Sequence, residues 1–191
     1  MIRMSVFATS LALLAGCQTP TVVRGTAVEP KDVAVAQGPG PYNFDCDAPG
    51  QQFVQFLARA PTDRVTVKGY FHFEQSHWGT EWAPSTYIAL RDARSSRAVM
   101  LEADVGGEFK RVDIYTEVPG SGHTKQLLVM TPLTYREIPF RLTMNADGTV
   151  LESVGTDGVT LNPGKFSASS IQIACLTAHV KFRDVTVAAA P

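Results

Sequence analysis

The chain has 191 residues, with 17 basic and 18 acidic side chains and a formal net charge of −1. That length suits one domain, and so even a charge balance with no basic stripe excludes a nucleic-acid surface as the expected partner. Apolar residues are 45% of the chain, which is enough for a packed core and excludes a wholly disordered polymer.

At the N-terminus, Met1-Ile2-Arg3-Met4 places one positive charge ahead of a mostly apolar run, Ser5 to Gly16. This is the layout of an export leader, and it is too short to span a bilayer as a helix. It ends Leu14-Ala15-Gly16-Cys17, which resembles the lipobox of bacterial lipoproteins. The resemblance implies a leader over residues 1–16, cleavage before Cys17, and acyl chains of the palmitate type on that cysteine. One acyl chain holds a protein to a membrane only marginally, whereas two or three anchor it stably. Gln18, rather than Asp, follows the cysteine. By the same resemblance this implies the outer membrane of a Gram-negative envelope, facing the periplasm or the cell surface. The alternative, an ordinary N-terminal core helix with a chance cysteine, accounts for neither the charge nor the small residues before Cys17.

Loss of the leader takes Arg3 with it, leaving 16 basic against 18 acidic residues, a formal −2. With Cys17 lipidated, Cys46 and Cys175 remain. In an oxidising compartment such a leftover pair is expected to form one disulfide, with two separate buried thiols as the alternative. The closed loop would contribute ~4–5 kcal/mol in the chain-entropy account.

Residues 17–41 lack periodicity and hold Pro20, Pro30, Pro39 and Pro41, so they read as a lipidated cysteine and a flexible linker. As a coil they would reach ~25–30 Å, enough to hold a domain clear of the lipid headgroups. The domain is expected over 42–191. Val65, Val67, Phe71 and Phe73 alternate with polar residues, and strands follow at Thr86–Arg91 and Ala98–Asp104. In Arg111–Val118, Val112, Ile114, Thr116 and Val118 stand opposite Arg111, Asp113, Tyr115 and Glu117. Gln126–Thr131 is apolar throughout and reads as a strand covered on both faces. Pro139–Asn145 alternates again, and Asn145-Ala146-Asp147-Gly148 supplies a hairpin turn into Thr149–Ser153. A short strand after Asp157-Gly158, then Ser170–Thr177 and His179–Val187, complete ten or eleven strands. Their spacing of about a dozen residues predicts an all-β antiparallel sandwich or jelly roll.

Phe140 to Val150, a strand, an Asp-Gly turn and the start of a second strand, resembles a unit of concanavalin A-like lectin/glucanase domains. Ala178 to Val187 is similar to their closing strand. The resemblance implies a jelly roll whose first and last strands are neighbours, so that a Cys46–Cys175 bridge would staple neighbouring parts. An immunoglobulin-like or other Greek-key sandwich stays open as the alternative.

Retaining glucanases of this fold carry Glu-x-Asp-x-Glu on one strand, with two carboxylates aimed into one cleft. Glu102-Ala103-Asp104-Val105-Gly106-Gly107-Glu108 only approaches that pattern, because Gly106-Gly107 displaces Glu108 into a turn. Glu102 and Asp104 are thus weak catalytic candidates, and hydrolysis by the family mechanism is disfavoured. Trp78 and Trp82 lie between two strands, where they either stack on sugar rings or plug the end of the sandwich. Tyr70, His72, Tyr87, Arg91 and Tyr115 would add to a ligand surface if their strands line one sheet. His72, Glu74 and His77 lack a third firm ligand, and His123 sits in a glycine-rich loop, so no metal site is expected. No phosphate-cradling or nucleophile-elbow motif occurs, and no cofactor is expected.

The leading expectation is a lipid-anchored envelope domain binding a glycan or other envelope component without catalysis, through Tyr70, His72, Trp78, Trp82 and Tyr115. The alternatives are a domain docking an envelope protein, and a glycan hydrolase using Glu102 and Asp104. Replacement Cys17→Ser is expected to abolish incorporation of labelled palmitate and to move the protein from the membrane to the soluble fraction. Persistent acyl labelling of that variant would refute the anchor.

Overall fold

A strand that alternates apolar and polar residues can bury one face only, so such strands must pair into sheets stacked face to face. The computed structural model, which describes residues 23–26, 40–50, 52–78, 82–92, 97–106, 111–118, 125–132 and 137–190, has this form. In chain order the strands are β1 (Val23–Thr26), β2 (Tyr42–Asp47), β3 (Gln52–Arg59), β4 (Val65–Ser76), β5 (Ser85–Asp92), β6 (Ala98–Val105) and β7 (Arg111–Glu117). They continue as β8 (Gln126–Pro132), β9 (Ile138–Met144), β10 (Val150–Val154), β11 (Asp157–Leu161), β12 (Ala168–Leu176) and β13 (Ala178–Ala189). Seven form one antiparallel sheet in the order β1-β3-β12-β5-β6-β7-β8, and six form the other in the order β11-β10-β9-β4-β13-β2. The expected antiparallel sandwich is therefore the architecture observed. The leader and Cys17 lie outside the described residues.

The two inner faces meet in one core. Val65, Val67, Phe71 and Phe73 of β4 are buried as their alternation requires, facing Ile171 and Ile173 of β12 and Ile88 and Leu90 of β5. An aromatic column ties the sheets together. Phe44 stacks on Phe182 within its own sheet at 4.8 Å and on Phe56 of the other sheet at 4.9 Å. Such pairs contribute about 0.5–1.5 kcal/mol each beyond the area they bury.

Cys46 and Cys175 are bonded, with Cα atoms 5.9 Å apart and a sequence separation of 129. Strand β2 does lie beside β13. The bridge does not staple neighbours in one sheet, however, because Cys175 is on β12 in the opposite sheet. It crosses the core instead, close to the point where the chain itself crosses. There Thr177 alone separates β12 from β13, in a left-handed backbone conformation (φ 46°) that costs a β-branched residue energy. Three contacts hold it: its N–H donates to Gln52 O at 3.2 Å, its carbonyl accepts from His77 N at 2.8 Å, and its hydroxyl donates to Trp82 O at 3.3 Å.

Two local readings change, and one strand goes unread in the sequence. Val23–Thr26, inside the stretch read as linker, pairs with β3 from Val23↔Gln55 to Thr26↔Gln52. Backbone pairing at a sheet edge needs no side-chain alternation, so periodicity does not reveal it. Strand β3 has no alternation either, because it is buried on both faces from Phe53 to Ala58. Strand β8, expected to be covered on both faces, is an edge strand, with Leu127 45% and Met130 57% exposed. An apolar run reports hydrophobicity, not which elements arrive to cover it. The β9–β10 hairpin forms where expected. Gly148 takes φ 83°, and Asp147 accepts bonds from the Thr149 N–H at 2.9 Å and hydroxyl at 2.6 Å.

One inner position is not apolar. Glu152 of β10 is 1% exposed, between the inward-facing Val150 and Val154. Among the described residues, neither its carboxylate oxygens nor the buried Thr116 hydroxyl has a well-aligned hydrogen bond. Burial pushes the carboxyl from 4.5 up to about 7, with Thr116 pulling weakly the other way. The unfolded chain releases this proton near 4.5 and the folded chain keeps it to about 7. Stability from this group is therefore whole below pH 4.5 and declines as pH rises to 7, by about 3 kcal/mol in all. Glu152→Gln is expected to flatten that decline, raising the melting temperature at pH 8 more than at pH 4.5. Equal shifts at the two pH values would show that the carboxyl titrates normally.

Candidate functional site

Register places side chains of one parity from neighbouring strands in rows across a sheet. On the outer face of the seven-stranded sheet one row runs Gln55, Ala174, Tyr87, Glu102, Tyr115 and Leu127. A second runs Leu57, Gln172, Ala89, Met100 and Glu117, and a third includes Ser85, Asp104 and Asp113. Ala89 and Ala174 are fully buried among these longer side chains, and Gln55 and Gln172 nearly so, whereas Tyr87, Glu102 and Tyr115 are partly exposed.

The polar groups of this face are tied to one another. Lys125 Nζ donates to Glu102 Oε1 at 2.7 Å and stands 5.6 Å from the centre of the Tyr115 ring. Arg111 Nε donates to Asp113 Oδ1 at 2.8 Å, and Arg91 Nη1 to Gln172 Oε1 at 2.7 Å. Gln172 in turn donates to Gln55 at 2.5 Å. Partial burial raises the Asp104 carboxyl above its ordinary value, and the charges of Glu102 and Asp113 add to this against Lys125 and Arg111. The Tyr115 phenol is raised by burial and then by Asp104 and Asp113. Desolvation opposes the charge on Lys125, but the Glu102 hydrogen bond and the fields of Glu102, Glu117 and Asp104 outweigh it and raise its pKa. An aromatic ring among fixed donors and acceptors can hold a sugar ring by its face and its hydroxyls.

The residues singled out from sequence do not all converge here. Tyr115, Glu102 and Asp104 share this face, with Tyr87 and Arg91. Tyr70 and His72 lie on β4, in the six-stranded sheet, and face outward on the opposite side of the sandwich. There Tyr70 pairs with Arg183, and His72 with Lys181. His72 Nδ1 is 3.9 Å from Glu74, whose carboxyl is held below its usual range chiefly by a hydrogen bond from Lys181. Trp78, 38% exposed, and the half-buried Trp82 stand at the end of the sandwich beside Thr177, near Pro84 and the end of β6. Hence a single surface carrying Tyr70, His72 and Tyr115 does not exist, because alternation says that residues point outward but not from which sheet. His77 Nε2 is 3.4 Å from Asp47 Oδ1. Glu108 and His123 lie outside the described residues, and among those described no cluster of three metal-ligating side chains occurs.

Sequence reasoning missed Lys125, Gln55 and Gln172. The shared parity of Asp113, Tyr115 and Glu117 was a usable signal for β7, whereas Lys125 precedes its strand and carries none. Replacing Lys125 by Met is expected to raise the titration of both Asp104 and Tyr115 further, read by carboxyl and tyrosyl carbon NMR. Unchanged titrations would mean that Lys125 does not stand over this cluster in solution.

No family model matches the chain, and no curated protein matches its sequence. Its fold is shared with solved structures. An alginate lyase from Pseudomonas aeruginosa has a TM-score of 0.56 at 10% identity, over 72% of this chain and 73% of that one. Alginate lyase A1-II′, in a variant with two introduced cysteines, has 0.51 at 10% identity over 78% and 79%. The heptameric SAP-like pentraxin from Limulus polyphemus has 0.50 at 11% identity over 77% of each chain. Identities this low establish likeness of fold alone, and that fold is the concanavalin A-like antiparallel jelly roll.

Proposed function

We propose that this chain is a lipid-anchored envelope protein, held at the outer membrane through Cys17, whose sandwich binds a glycan without catalysis. The binding face is the outer side of the seven-stranded sheet. The observation that carries this reading is the row of Tyr87, Glu102 and Tyr115 across three neighbouring strands, with Lys125 bonded to Glu102. Aromatic area, a carboxylate to accept hydroxyl protons and an ammonium to donate lie within one strip. Glu102, Asp104, Asp113 and Glu117 stand against Lys125, Arg111 and Arg91, so cations do not predominate and an uncharged or amino-bearing sugar suits the strip best. That two of the structures sharing the fold are alginate lyases is in keeping with a glycan ligand. The anchor rests on the leader and lipobox residues, and Gln18 supports the outer-membrane address.

A second reading has its own observation. The exposed Leu127 and Met130 on edge strand β8 favour docking of a protein strand or apolar surface. Titration calorimetry of the full chain in detergent against a panel of neutral oligosaccharides separates the two. Binding is expected, weakened about tenfold by Tyr115→Ala or by Glu102→Gln. Equal affinity in both variants would remove this face from the reading. No binding in the panel, with a partner protein retained by the wild type and lost by Met130→Glu, would favour docking.

A further inference from the structure

The outer face of the six-stranded sheet has a different chemistry from that of the seven-stranded sheet. Lys68 of β4 and Arg141 of β9 are direct cross-strand partners, and both are exposed. Like charges placed opposite each other on adjacent strands destabilise a sheet. Among the described residues neither cation has a hydrogen-bond or ion-pair partner to offset that repulsion. The row they occupy runs from Thr186 through Lys68, Arg141 and Ser153 to Gly158, across five strands and thus about 19 Å.

The surroundings are shaped for an extended ligand. A depression of about 680 Å³ lies over Lys68, Arg141 and Ser153, between Tyr70 and Thr186. A second, of about 550 Å³, shares Arg141 and Ser153 and continues over Thr66, Thr143, Leu151 and Thr160. Tyr70, 39% exposed, closes one end, and Leu151, 44% exposed, lies in the other. Between them hydroxyls recur, with Thr66 and Thr143 bonded to each other at 3.1 Å. The acids nearby do not neutralise the pair. Asp184 sits at the rim in a bulge of β13 at φ 50°, its N–H donating to Asn43 Oδ1 at 2.9 Å, and Glu152 turns its carboxyl into the core. Bulges of this kind occur where a strand is re-aimed beside a binding site.

We propose that this groove is a second ligand-binding surface, which takes a carboxylate-bearing glycan chain with its acid groups on Lys68 and Arg141. Tyr70 and Leu151 supply faces for the sugar rings, and the threonines and Ser153 bond their hydroxyls. The site is independent of the face proposed for neutral glycans, because the two lie on opposite sides of the sandwich.

The test is binding of the full chain in detergent to polygalacturonate, with dextran as the uncharged control and inorganic phosphate as a competitor. Polygalacturonate should bind, dextran should not compete, and rising sodium chloride should weaken the complex. The double variant Lys68→Gln, Arg141→Gln should bind at least about tenfold more weakly, with an unchanged or higher melting temperature and intact neutral-oligosaccharide binding on the other face. Lys68→Glu, which offers Arg141 an ion pair and so should fold well, must lose polygalacturonate too. Wild-type affinity in either variant would overturn the proposal. So would complete displacement by phosphate at equal anion concentration, which would mark a small-anion site instead.

Discussion

The structure depends on the place where the chain passes from one sheet to the other between β12 and β13. Each of these strands has neighbours on both sides, β12 between β3 and β5, and β13 between β4 and β2. One residue, Thr177, joins them, so its strained left-handed conformation sets the register of two sheets together. A slip of one residue would turn every inner side chain outward, which no core of this size tolerates. The Cys46–Cys175 bridge locks the same corner from the second sheet. A sequence separation of 129 is long enough for the cross-link to contribute about 5 kcal/mol through the unfolded chain.

With the corner fixed, the sandwich has two outer faces that share no side chains, and their charges are managed in opposite ways. On the seven-stranded sheet Lys125 is paired with Glu102 and Arg111 with Asp113 two residues along its own strand. On the six-stranded sheet Lys181 and Arg183 have Glu74 and Asp45, but Lys68 and Arg141 face each other. The first arrangement is nearly self-contained. The second carries an uncompensated repulsion that an anion would relieve.

Away from the corner the packing is less strict. Glu152 occupies an inner position on β10, next to the edge strand β11, where a fully apolar core would carry a valine or leucine. Its neutral form is tolerated because an uncharged carboxyl costs far less to bury than a carboxylate. Strand β8, at the edge of the other sheet, keeps apolar side chains in solvent.

Much of this was legible along the chain. Alternation in β4, β7 and β9, the Asn145–Gly148 turn and the closing strand specify an antiparallel sandwich through local rules alone. The cysteine count leads to the Cys46–Cys175 pair once Cys17 is reserved for lipid, and the leader and lipobox reading rests wholly on short-range sequence. What local rules cannot carry is which sheet a strand joins. Tyr70 and Tyr115 both alternate outward, and only the sheet order puts them on opposite faces. The apolar run of β8 does not say that it ends at the sheet edge with Leu127 and Met130 exposed, and β1 and β3 have no periodicity to read. Pairing partners are set by contacts distant in sequence, such as Lys68 with Arg141 and Glu102 with Lys125. The sequence by itself thus determined the alternating strands and their inner faces, because each follows from neighbours along the chain, and the cysteine count pointed to the pair. The make-up of each outer face was decided only when the corner at Thr177 assigned strands to sheets, since that assignment depends on packing across the whole core.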